Sequence, residues 1–262
     1  MKCKICENKT IDFDRAIILG KYEANYQRCP TCGFICTENP FWLNESYEKA
    51  IARTDIGTVS RTETNSRQTK LIIELFFDHS AKFLDYGAGY GMFVRRMRDI
   101  GYDFLAYDRY CKNLFSSQFE IKSLNGNFQL ITAFEVIEHI INPIDLFSEV
   151  FFHSDSCLFT TEIVPNPPPR LGQWWYYGLD HGQHISFFTS ISLRYVANQF
   201  NKRFYSNGIN LHLMTSQNIN DTLYKLFTNN SFLWLHIFKC RPSLLQSDWA
   251  SLRKNTLNDI SE

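Results

Sequence analysis

Residues 82–91 read KFLDYGAGYG. The first five predict a short strand, three glycines follow at alternate positions, and Met92–Ile100 has the periodicity of a helix that Gly101 can end. Glycines let the backbone bend sharply and leave room for a ligand against it, while the helix N-terminus offers unpaired amide donors. The stretch therefore predicts a strand–turn–helix unit that holds a nucleotide-like ligand, with a plain tight turn as the alternative.

The next predicted strand ends at Asp108, 17 residues after Gly91. A carboxylate at this place can accept hydrogen bonds from both ribose hydroxyls of a nucleoside. The dinucleotide fingerprint is Gly-x-Gly-x-x-Gly, whereas here the third glycine comes one residue early. Asp85, just before the glycines, suits a ligand with an amino acid end better than a pyrophosphate. The spacing therefore favours S-adenosylmethionine.

Strands and helices alternate through the middle of the chain, which is typical of an α/β fold with a parallel sheet. The further strand patterns lie at Phe104–Tyr107, Phe128–Phe134, Cys157–Val164, Arg203–Tyr205 and Leu211–Met214. The further helical patterns lie at Thr69–Phe77, Pro143–Phe152 and Ser190–Phe200. Together with residues 82–86 they predict a twisted sheet of six or seven strands with helices beside it.

Two Cys-x-x-Cys pairs, separated by 22 residues, stand near the N-terminus: Cys3, Cys6, Cys29 and Cys32. Four thiolates fill the tetrahedral coordination of Zn²⁺ and leave no open position, so the predicted metal is structural. The segment between the pairs has few core residues and little periodic structure, so it needs such a cross-link to fold. Disulfides are the alternative, although a reducing compartment disfavours them. We predict a zinc-ribbon-like module over residues 1–45 and a second domain over residues 46–262.

Charge and hydropathy narrow the choice of partners. Lys plus Arg balance Asp plus Glu at 27 each, so the net charge is zero, whereas nucleic-acid binders usually carry a basic surplus. A small molecule or saccharide is the expected substrate, and no nucleic acid is expected. No stretch has the length needed to cross a membrane, the most apolar one being residues 232–238, and the N-terminus lacks a signal-peptide core. We expect the protein in the cytoplasm.

Three motifs resemble those of class I S-adenosylmethionine-dependent methyltransferases. Residues 83–91, FLDYGAGYG, look like their motif I, and residues 134–139, FEVIEH, followed by Pro143, look like a later strand end. Residues 184–189, HISFFT, resemble a segment of the bacterial branch that often carries a cysteine-rich N-terminus and includes sugar C-methyltransferases and enzymes of polysaccharide loci. The resemblance implies a Rossmann-like fold with a mostly parallel, seven-stranded sheet.

The resemblance also implies which residues hold S-adenosylmethionine. Asp108 would hold the ribose, and Phe134 and Glu135 would lie beneath the sulfonium. The residues that would border the methionine portion are Asp85, Gly87, Ala88 and Gly89, in the turn that closes at Gly91. Residues 124–127, LNGN, fall in the interval where the adenine contact is expected.

Residues 165–189 predict a substrate-binding insertion. A proline-rich loop leads into residues 174–184, WWYYGLDHGQH, in which His181 and His184 follow four aromatic residues. Aromatic faces can stack on sugars and exclude water, and a histidine of ordinary pKa suits a general base at neutral pH. An aromatic core plug with hydrogen-bonded histidines is the alternative. His139 is a second candidate base, unless it braces the cofactor loop.

Members of this branch that methylate sugar carbon carry Tyr-His-Glu-His where residues 181–184 read HGQH. The last histidine is kept as His184, but His181 replaces the tyrosine and Gln183 replaces the carboxylate, which weakens the case for enolate chemistry. A short stretch follows the last predicted strand, so the large C-terminal domain of those enzymes is expected to be missing. O-methylation of a small carbohydrate-type metabolite or surface-polysaccharide precursor is therefore the first hypothesis.

Three other functions stay open. They are C- or N-methylation of a nucleotide-linked sugar, S-adenosylmethionine binding without catalysis, and RNA methylation guided by the zinc module. The neutral charge argues against the last, and the glycine turn together with two pocket histidines argues against the second. Tyr47, Arg53 and Arg61 are candidate substrate contacts, and the alternative is that they are ordinary surface residues.

Overall fold

The computed structural model describes residues 1–47, 56–229 and 241–260, with side chains as far as residue 254. Arg53 and the apolar residues 232–238 lie outside the described residues. The strands are β1 (Ile11–Ile18), β2 (Tyr22–Arg28), β3 (Ile35–Thr37), β4 (Lys82–Tyr86), β5 (Asp103–Tyr107), β6 (Leu130–Ala133), β7 (Ser156–Thr160), β8 (Ser186–Phe187), β9 (Arg203–Ser206) and β10 (Leu211–Thr215). The helices are α1 (Leu43–Ser46), α2 (Thr58–Phe76), α3 (Met92–Asp99), α4 (Pro143–His153), α5 (Ser190–Gln199), α6 (Asp221–Asn229) and α7 (Leu245–Ile260).

The larger sheet has the strand order β5-β4-β6-β7-β10-β9. Its first four strands are parallel, and β10 runs antiparallel to both of its neighbours. The Rossmann-like α/β fold is therefore confirmed. The expectation of a seven-stranded, mostly parallel sheet is wrong, because the described residues form a mixed sheet of six strands.

The missing edge strand has a local cause. Beyond β5, one isolated parallel bridge joins Ala106 to Glu120, and the Ile121 amide donates to the Ala106 carbonyl at 2.9 Å. The residues that follow, 122–127, are mostly polar and exposed, so they bury no apolar face that could extend the pairing. A single bridge thus stands where a seventh strand was expected.

The parallel strands are buried on both faces, as expected for a sheet covered by helices on each side. Neighbouring residues of one strand enter different cores: Phe83 packs in a cluster with Ile72 of α2 and Met97 of α3. Leu84 packs in the opposite cluster with Phe147 of α4. This double burial fixes the carboxyl ends of β4, β6 and β7 side by side at one edge of the sheet.

Helix α2 is longer than the sequence predicts, since it begins at Thr58 rather than at Thr69. Its first turns carry polar residues, and Ser66 is its first buried residue, so they lack the apolar face that marks a packed helix. The extra turns bring Arg61 towards the carboxyl end of β6, where its Nε lies 3.7 Å from Glu135 Oε2.

The N-terminal residues form strands that their sequence pattern does not predict. Strands β1, β2 and β3 make an antiparallel sheet, and β8 joins it as the fourth strand through the pairs Ile35–Phe187 and Cys36–Ser186. Seven of the eight residues of β1 are exposed or partly exposed, so the strand lacks a clear alternation of buried and exposed residues. The N-terminal segment and the stretch after His184 are thus joined by backbone pairing.

Helix α7 is attached to α3 by a buried ion pair. Arg98 and Asp248 expose 8% and 7% of their side chains and form two hydrogen bonds, of 2.9 and 2.7 Å. Arg98 also pairs with Asp103 and donates to the Phe104 carbonyl. Among the described residues, the helices lack the combination of length and apolar composition that a membrane crossing requires.

Asp248→Ala should lower the free energy of unfolding by about 2 to 3 kcal/mol, because it leaves buried Arg98 without one of its two carboxylate partners. Denaturant unfolding followed by circular dichroism measures this loss. The matched control is Asp221→Ala, which removes the exposed pair with Lys225 and should cost less than about 1 kcal/mol. Equal losses in the two variants would contradict the stabilising role of the buried pair.

Candidate active site

The glycine turn after β4 is shaped by close approaches. A Cβ on Gly87 would lie 2.6 Å from Val136 Cγ2, and one on Gly91 would overlap the side chains of Asn113 and Ser116. Gly89 differs, since it has a φ of +53° and no described atom lies within 4 Å of where its Cβ would point. The protein's own packing therefore requires Gly87 and Gly91, whereas Gly89 faces open space that a ligand can enter.

Asp85 lies at the end of β4 with 4% of its surface exposed, and it accepts a hydrogen bond of 2.6 Å from Thr132 Oγ1. Burial raises the pKa of this carboxyl to about 7, while the Thr132 hydrogen bond opposes the shift and the nearby Asp108 charge adds to it. The side chain thus points between β4 and β6 and braces the start of the turn.

Asp108, at the end of β5, ties the glycine turn to the neighbouring strand. Its Oδ2 accepts from the Gly89 amide at 2.8 Å, and its Oδ1 accepts from the amides of Tyr110 and Cys111, both at 2.8 Å. A carboxylate has about four lone-pair sites, so three amides leave room for roughly one further hydroxyl donor. This capacity fits one ribose hydroxyl better than two.

An open cleft of about 440 Å³ lies beside Asp108. It is lined by residues 107–112 and 120–122, which flank the isolated bridge between Ala106 and Glu120. Residues 124–127, where the adenine contact was expected, do not line it, and the Gly126 carbonyl instead lies 2.9 Å from His153 Nδ1. The cleft therefore lies beside Asp108, and residues 124–127 are not part of its lining.

The segment that follows β6 starts with Phe134 and Glu135. Phe134 packs edge-on against Phe93 of α3, with ring centroids 4.9 Å apart. Glu135 has a φ of +55°, which is uncommon for a non-glycine residue and clusters at functional sites. The Thr160 hydroxyl holds it at both ends, since it accepts from the Glu135 amide and donates to Oε1, each at 2.9 Å.

Glu138 is fully buried three residues further along. The Tyr176 hydroxyl donates to its Oε1 at 2.8 Å, while Oε2 has no hydrogen-bond partner among the described residues. Burial, reinforced by the charge of Glu135, raises the pKa of Glu138 well above its ordinary value.

The three histidines selected from the sequence lie together beside Glu138. The rings of His139 and His184 are 4.9 Å apart, and His181 lies 4.9 Å from His184 on another side. Burial lowers the pKa of His184 to about 4 and the pKa of His139 well below its ordinary value. Both imidazoles are therefore neutral at physiological pH.

The N-terminal segment closes this cluster from one side. Tyr47 Oη lies 2.9 Å from His139 Nδ1, and the Gln183 side chain donates to the Ser46 carbonyl at 2.8 Å. The Trp42 indole donates to the Gly182 carbonyl at 2.8 Å. Gln183, which stands where the resembling enzymes have a carboxylate, thus joins two parts of the chain.

The aromatic run before the histidines divides between core and surface. Tyr177 is fully buried, and its ring lies 5.0 Å from Phe187 and 6.4 Å from Tyr26 of the N-terminal sheet. Trp175 instead exposes 75% of its surface. The core-plug interpretation therefore describes Tyr177, whereas Trp175 lies on the surface.

The four N-terminal cysteines form one cluster. Cys3 and Cys32 have their sulfurs 3.6 Å apart, those of Cys6 and Cys29 are 3.4 Å apart, and all four sulfurs lie within 4.8 Å of one another. These distances exclude disulfides, whose sulfurs are about 2.05 Å apart, and they approach the edge of roughly 3.8 Å expected for sulfurs about 2.3 Å from a tetrahedral Zn²⁺. The cluster is compatible with zinc.

Four residues of this site were not singled out from the sequence: Thr132, Glu138, Thr160 and Tyr176. Glu138 stood inside the quoted FEVIEH motif, and its spacing of three from Glu135 was the available signal. The two threonines lie in strands of the sheet, where the sequence gives no sign that their hydroxyls turn towards a carboxylate.

A family model described as a methyltransferase domain matches residues 61–204, which is more than half of the chain. The search of curated protein sequences found no match.

Among solved structures, the chain is similar to the magnesium protoporphyrin IX methyltransferase ChlM from Synechocystis PCC 6803 with bound SAH. The two sequences are 11% identical, and the TM-score is 0.48. The alignment covers 68% of this chain and 96% of ChlM. The chain is also similar to the plantazolicin methyltransferase BpumL in complex with a monoazolic desmethylPZN analog and SAH. Here the identity is 11%, the TM-score is 0.49, and the alignment covers 76% of this chain and 88% of BpumL. A third similar structure is that of CalO1, a methyltransferase in calicheamicin biosynthesis, with 12% identity and a TM-score of 0.44. The alignment covers 66% of this chain and 61% of CalO1.

The range matched by the family model contains the glycine turn, the segment after β6 and all three clustered histidines. The chain therefore belongs to the methyltransferase-domain family and is an S-adenosylmethionine-dependent methyltransferase.

Proposed function

We propose that this enzyme methylates a hydroxyl group of a small carbohydrate-type metabolite or surface-polysaccharide precursor. The observation that carries the proposal is that the segment after β6 joins both ends of the site: its Val136 packs against Gly87 of the glycine turn, and its Glu138 and His139 cluster with His184. Residues 184–189 support the carbohydrate class through their resemblance to the sugar-methylating branch. The free thiols of the four-cysteine cluster fit a reducing cytoplasm.

The cofactor end of the site lies at the carboxyl ends of β4, β5 and β6. We assign Asp85, Gly87, Ala88 and Gly89, in the cofactor-binding turn that closes at Gly91, to the methionine portion of S-adenosylmethionine. We assign Asp108 to the ribose, and Phe134 with Glu135 to the region of the sulfonium. Bound S-adenosylmethionine would supply a strongly electrophilic methyl group. The protein's main task is then to align the acceptor oxygen with that group, which can supply a large part of the rate acceleration.

The acceptor end is the histidine cluster. His184 holds its Nδ1 2.7 Å from the Tyr176 carbonyl, which only accepts, so the lone pair is on Nε2 and can receive the proton of an acceptor hydroxyl. We propose His184 as this proton acceptor, His139 as the second candidate and His181 as the ring that supports His184. Exposed Trp175 and Arg61 are proposed as acceptor contacts, within a substrate-binding insertion at residues 165–189.

A methyl acceptor on carbon is the second candidate. His184 keeps the last position of the Tyr-His-Glu-His run found in sugar C-methyltransferases, but buried Gln183 is hydrogen-bonded to Ser46 and offers no negative charge. Removal of a weakly acidic carbon proton needs that charge more than removal of a hydroxyl proton does.

We propose that the four cysteines bind a structural Zn²⁺. The ion would hold residues 1–45 as a zinc module, whose third strand pairs with β8 directly after the histidines. The Thr189 side chain donates to the Cys32 carbonyl at 2.6 Å, which joins the cluster to the start of α5. The module would thereby form a wall of the site in the domain at residues 46–262.

Gly89→Ala should weaken binding of S-adenosylhomocysteine at least about tenfold, because its Cβ enters the space assigned to the cofactor, while the left-handed φ costs only about 1 kcal/mol of stability. Gly91→Ala is the matched variant, and it should destabilise the fold by about 2 to 4 kcal/mol through overlap with Asn113. Calorimetry and thermal unfolding measure the two effects. Unchanged binding by a folded Gly89→Ala protein would remove the cofactor assignment.

His184→Ala should keep its affinity for S-adenosylhomocysteine and lose methyl transfer by about 10²-fold or more, as expected when a general base is removed. A panel of nucleotide sugars and oligosaccharides with labelled S-adenosylmethionine supplies the assay, and mass spectrometry of the product separates O- from C-methylation. The control is His153→Ala, whose ring lies on the surface near Gly126. Full turnover by His184→Ala would refute the assignment.

Cys29→Ser should lose the tightly held zinc of the N-terminal cluster and lower Tm by several degrees, since the ion's binding energy contributes directly to folding. Elemental analysis of the purified full-length protein and thermal unfolding are the measurements. Cys111→Ser is the control, because this cysteine lies outside the cluster and should leave both values unchanged. A zinc content that is the same in both variants would show that the cluster does not bind the metal.

A further inference from the structure

Three groups that can each offer a lone pair converge at the segment that follows β6. One carboxylate oxygen of Glu138 and one ring nitrogen each of His139 and His184 lie within 4.8 Å of one another. All three groups are held by hydrogen bonds on their far sides, so the geometry of the cluster is imposed by the surrounding structure.

The two histidines present their Nε2 atoms as lone pairs. His139 Nδ1 lies 3.1 Å from the Gln183 carbonyl, and His184 Nδ1 lies 2.7 Å from the Tyr176 carbonyl. A carbonyl oxygen can only accept, so each Nδ1 carries the proton, and the Tyr47 hydroxyl beside His139 Nδ1 acts as a second acceptor. Neither Nε2 makes a hydrogen bond to another described residue.

Glu138 presents its carboxylate in the same way. Its Oε1 accepts from the Tyr176 hydroxyl, while its Oε2 is buried and unpartnered in the described part of the chain. A buried carboxylate oxygen without a partner is costly, and two imidazole lone pairs nearby cannot satisfy it because they are acceptors as well. A cation is the kind of group that satisfies all three at once.

We infer that Glu138, His139 and His184 bind a divalent transition-metal ion of the Zn²⁺ class. Two imidazoles and one carboxylate are a common ligand set for such ions in catalytic sites. Metal-binding histidines usually donate their other N–H to a carbonyl or carboxylate, as both histidines do here. Three protein ligands leave at least one coordination position open, in contrast to the closed four-cysteine cluster.

This inference rests on the proposed methyl transfer and changes the role of one residue in it. An ion in this position can bind the acceptor hydroxyl at its open coordination position and lower the pKa of that hydroxyl, as Zn²⁺ lowers that of bound water to about 7. The O–H bond then breaks with the proton passing to water, and an O–CH₃ bond forms as the CH₃–S bond breaks. The electron pair of that bond stays on sulfur, which leaves S-adenosylhomocysteine. His184 binds the ion in this scheme and does not receive the proton.

The test starts from full-length protein that carries one equivalent of zinc, the amount that the four-cysteine cluster takes, adds Co²⁺ and follows the visible absorption. One equivalent should bind and give d–d bands without the thiolate charge-transfer band that cobalt in the four-cysteine cluster would produce. Glu138→Gln, which keeps an acceptor for the Tyr176 hydroxyl, should weaken this binding at least tenfold, and so should His184→Ala. His153→Gln, on the surface, should bind cobalt as the parent protein does.

Binding of S-adenosylhomocysteine is measured on the same samples by calorimetry, so the two proposals can fail separately. If the cofactor product binds and Co²⁺ does not, or if both site variants bind Co²⁺ with the parent affinity, the metal site is refuted and the methyltransferase assignment stands. The first of these results would indicate instead a protonated Glu138 among neutral histidines. If Co²⁺ binds as expected and S-adenosylhomocysteine does not, the ion site stands and the cofactor assignment fails.

Discussion

The close approach of Gly87 and Val136 sets the distance between the two halves of the site. The segment after β6 packs against the glycine turn at the position where a Cβ on Gly87 would stand. The same segment carries Glu135 towards Arg61 and Glu138 towards the histidines. Any side chain at residue 87 would displace this segment, and the position of the histidine cluster relative to the cofactor turn would change. Parallel strands β4 and β6 bring the two partners to one edge of the sheet, and glycine lets them touch.

The burial of Glu138 and the partial burial of His139 and His184 give the site its chemical character. Glu138, His139 and His184 lie where burial disfavours every charged form, so the pKa of the carboxyl rises and the pKa values of both imidazoles fall. Neutral imidazoles with fixed N–H groups offer lone pairs in defined directions. A site of this kind is suited to holding a polar group, whether a hydroxyl or a cation, that compensates for the water it has lost.

The N-terminal segment is part of the same construction. Its third strand, β3, pairs with β8. The Trp42 indole, the Ser46 carbonyl and the Tyr47 hydroxyl contact Gly182, Gln183 and His139, respectively. Much of the aromatic run that the sequence offered as a substrate pocket is used to fill the space between this sheet and the rest of the chain. Tyr177 illustrates this, because it is fully buried and its ring contacts Tyr26 and Phe187.

The sequence by itself determined the class of fold, the strand–turn–helix unit around Gly87 to Gly91, and the pairing of four cysteines, because these features depend on local backbone freedom and short spacings. It also indicated three histidines, of which His139 stands 45 residues before His184. Only the tertiary structure decided that their rings meet, that Glu138 faces them with an unpartnered oxygen, and that the edge of the sheet ends in a single bridge at Glu120. Those outcomes depend on which side chains point inward once the strands are packed, and on which buried polar atoms are left without a hydrogen-bond donor. The spacing of residues along the chain determines neither of these.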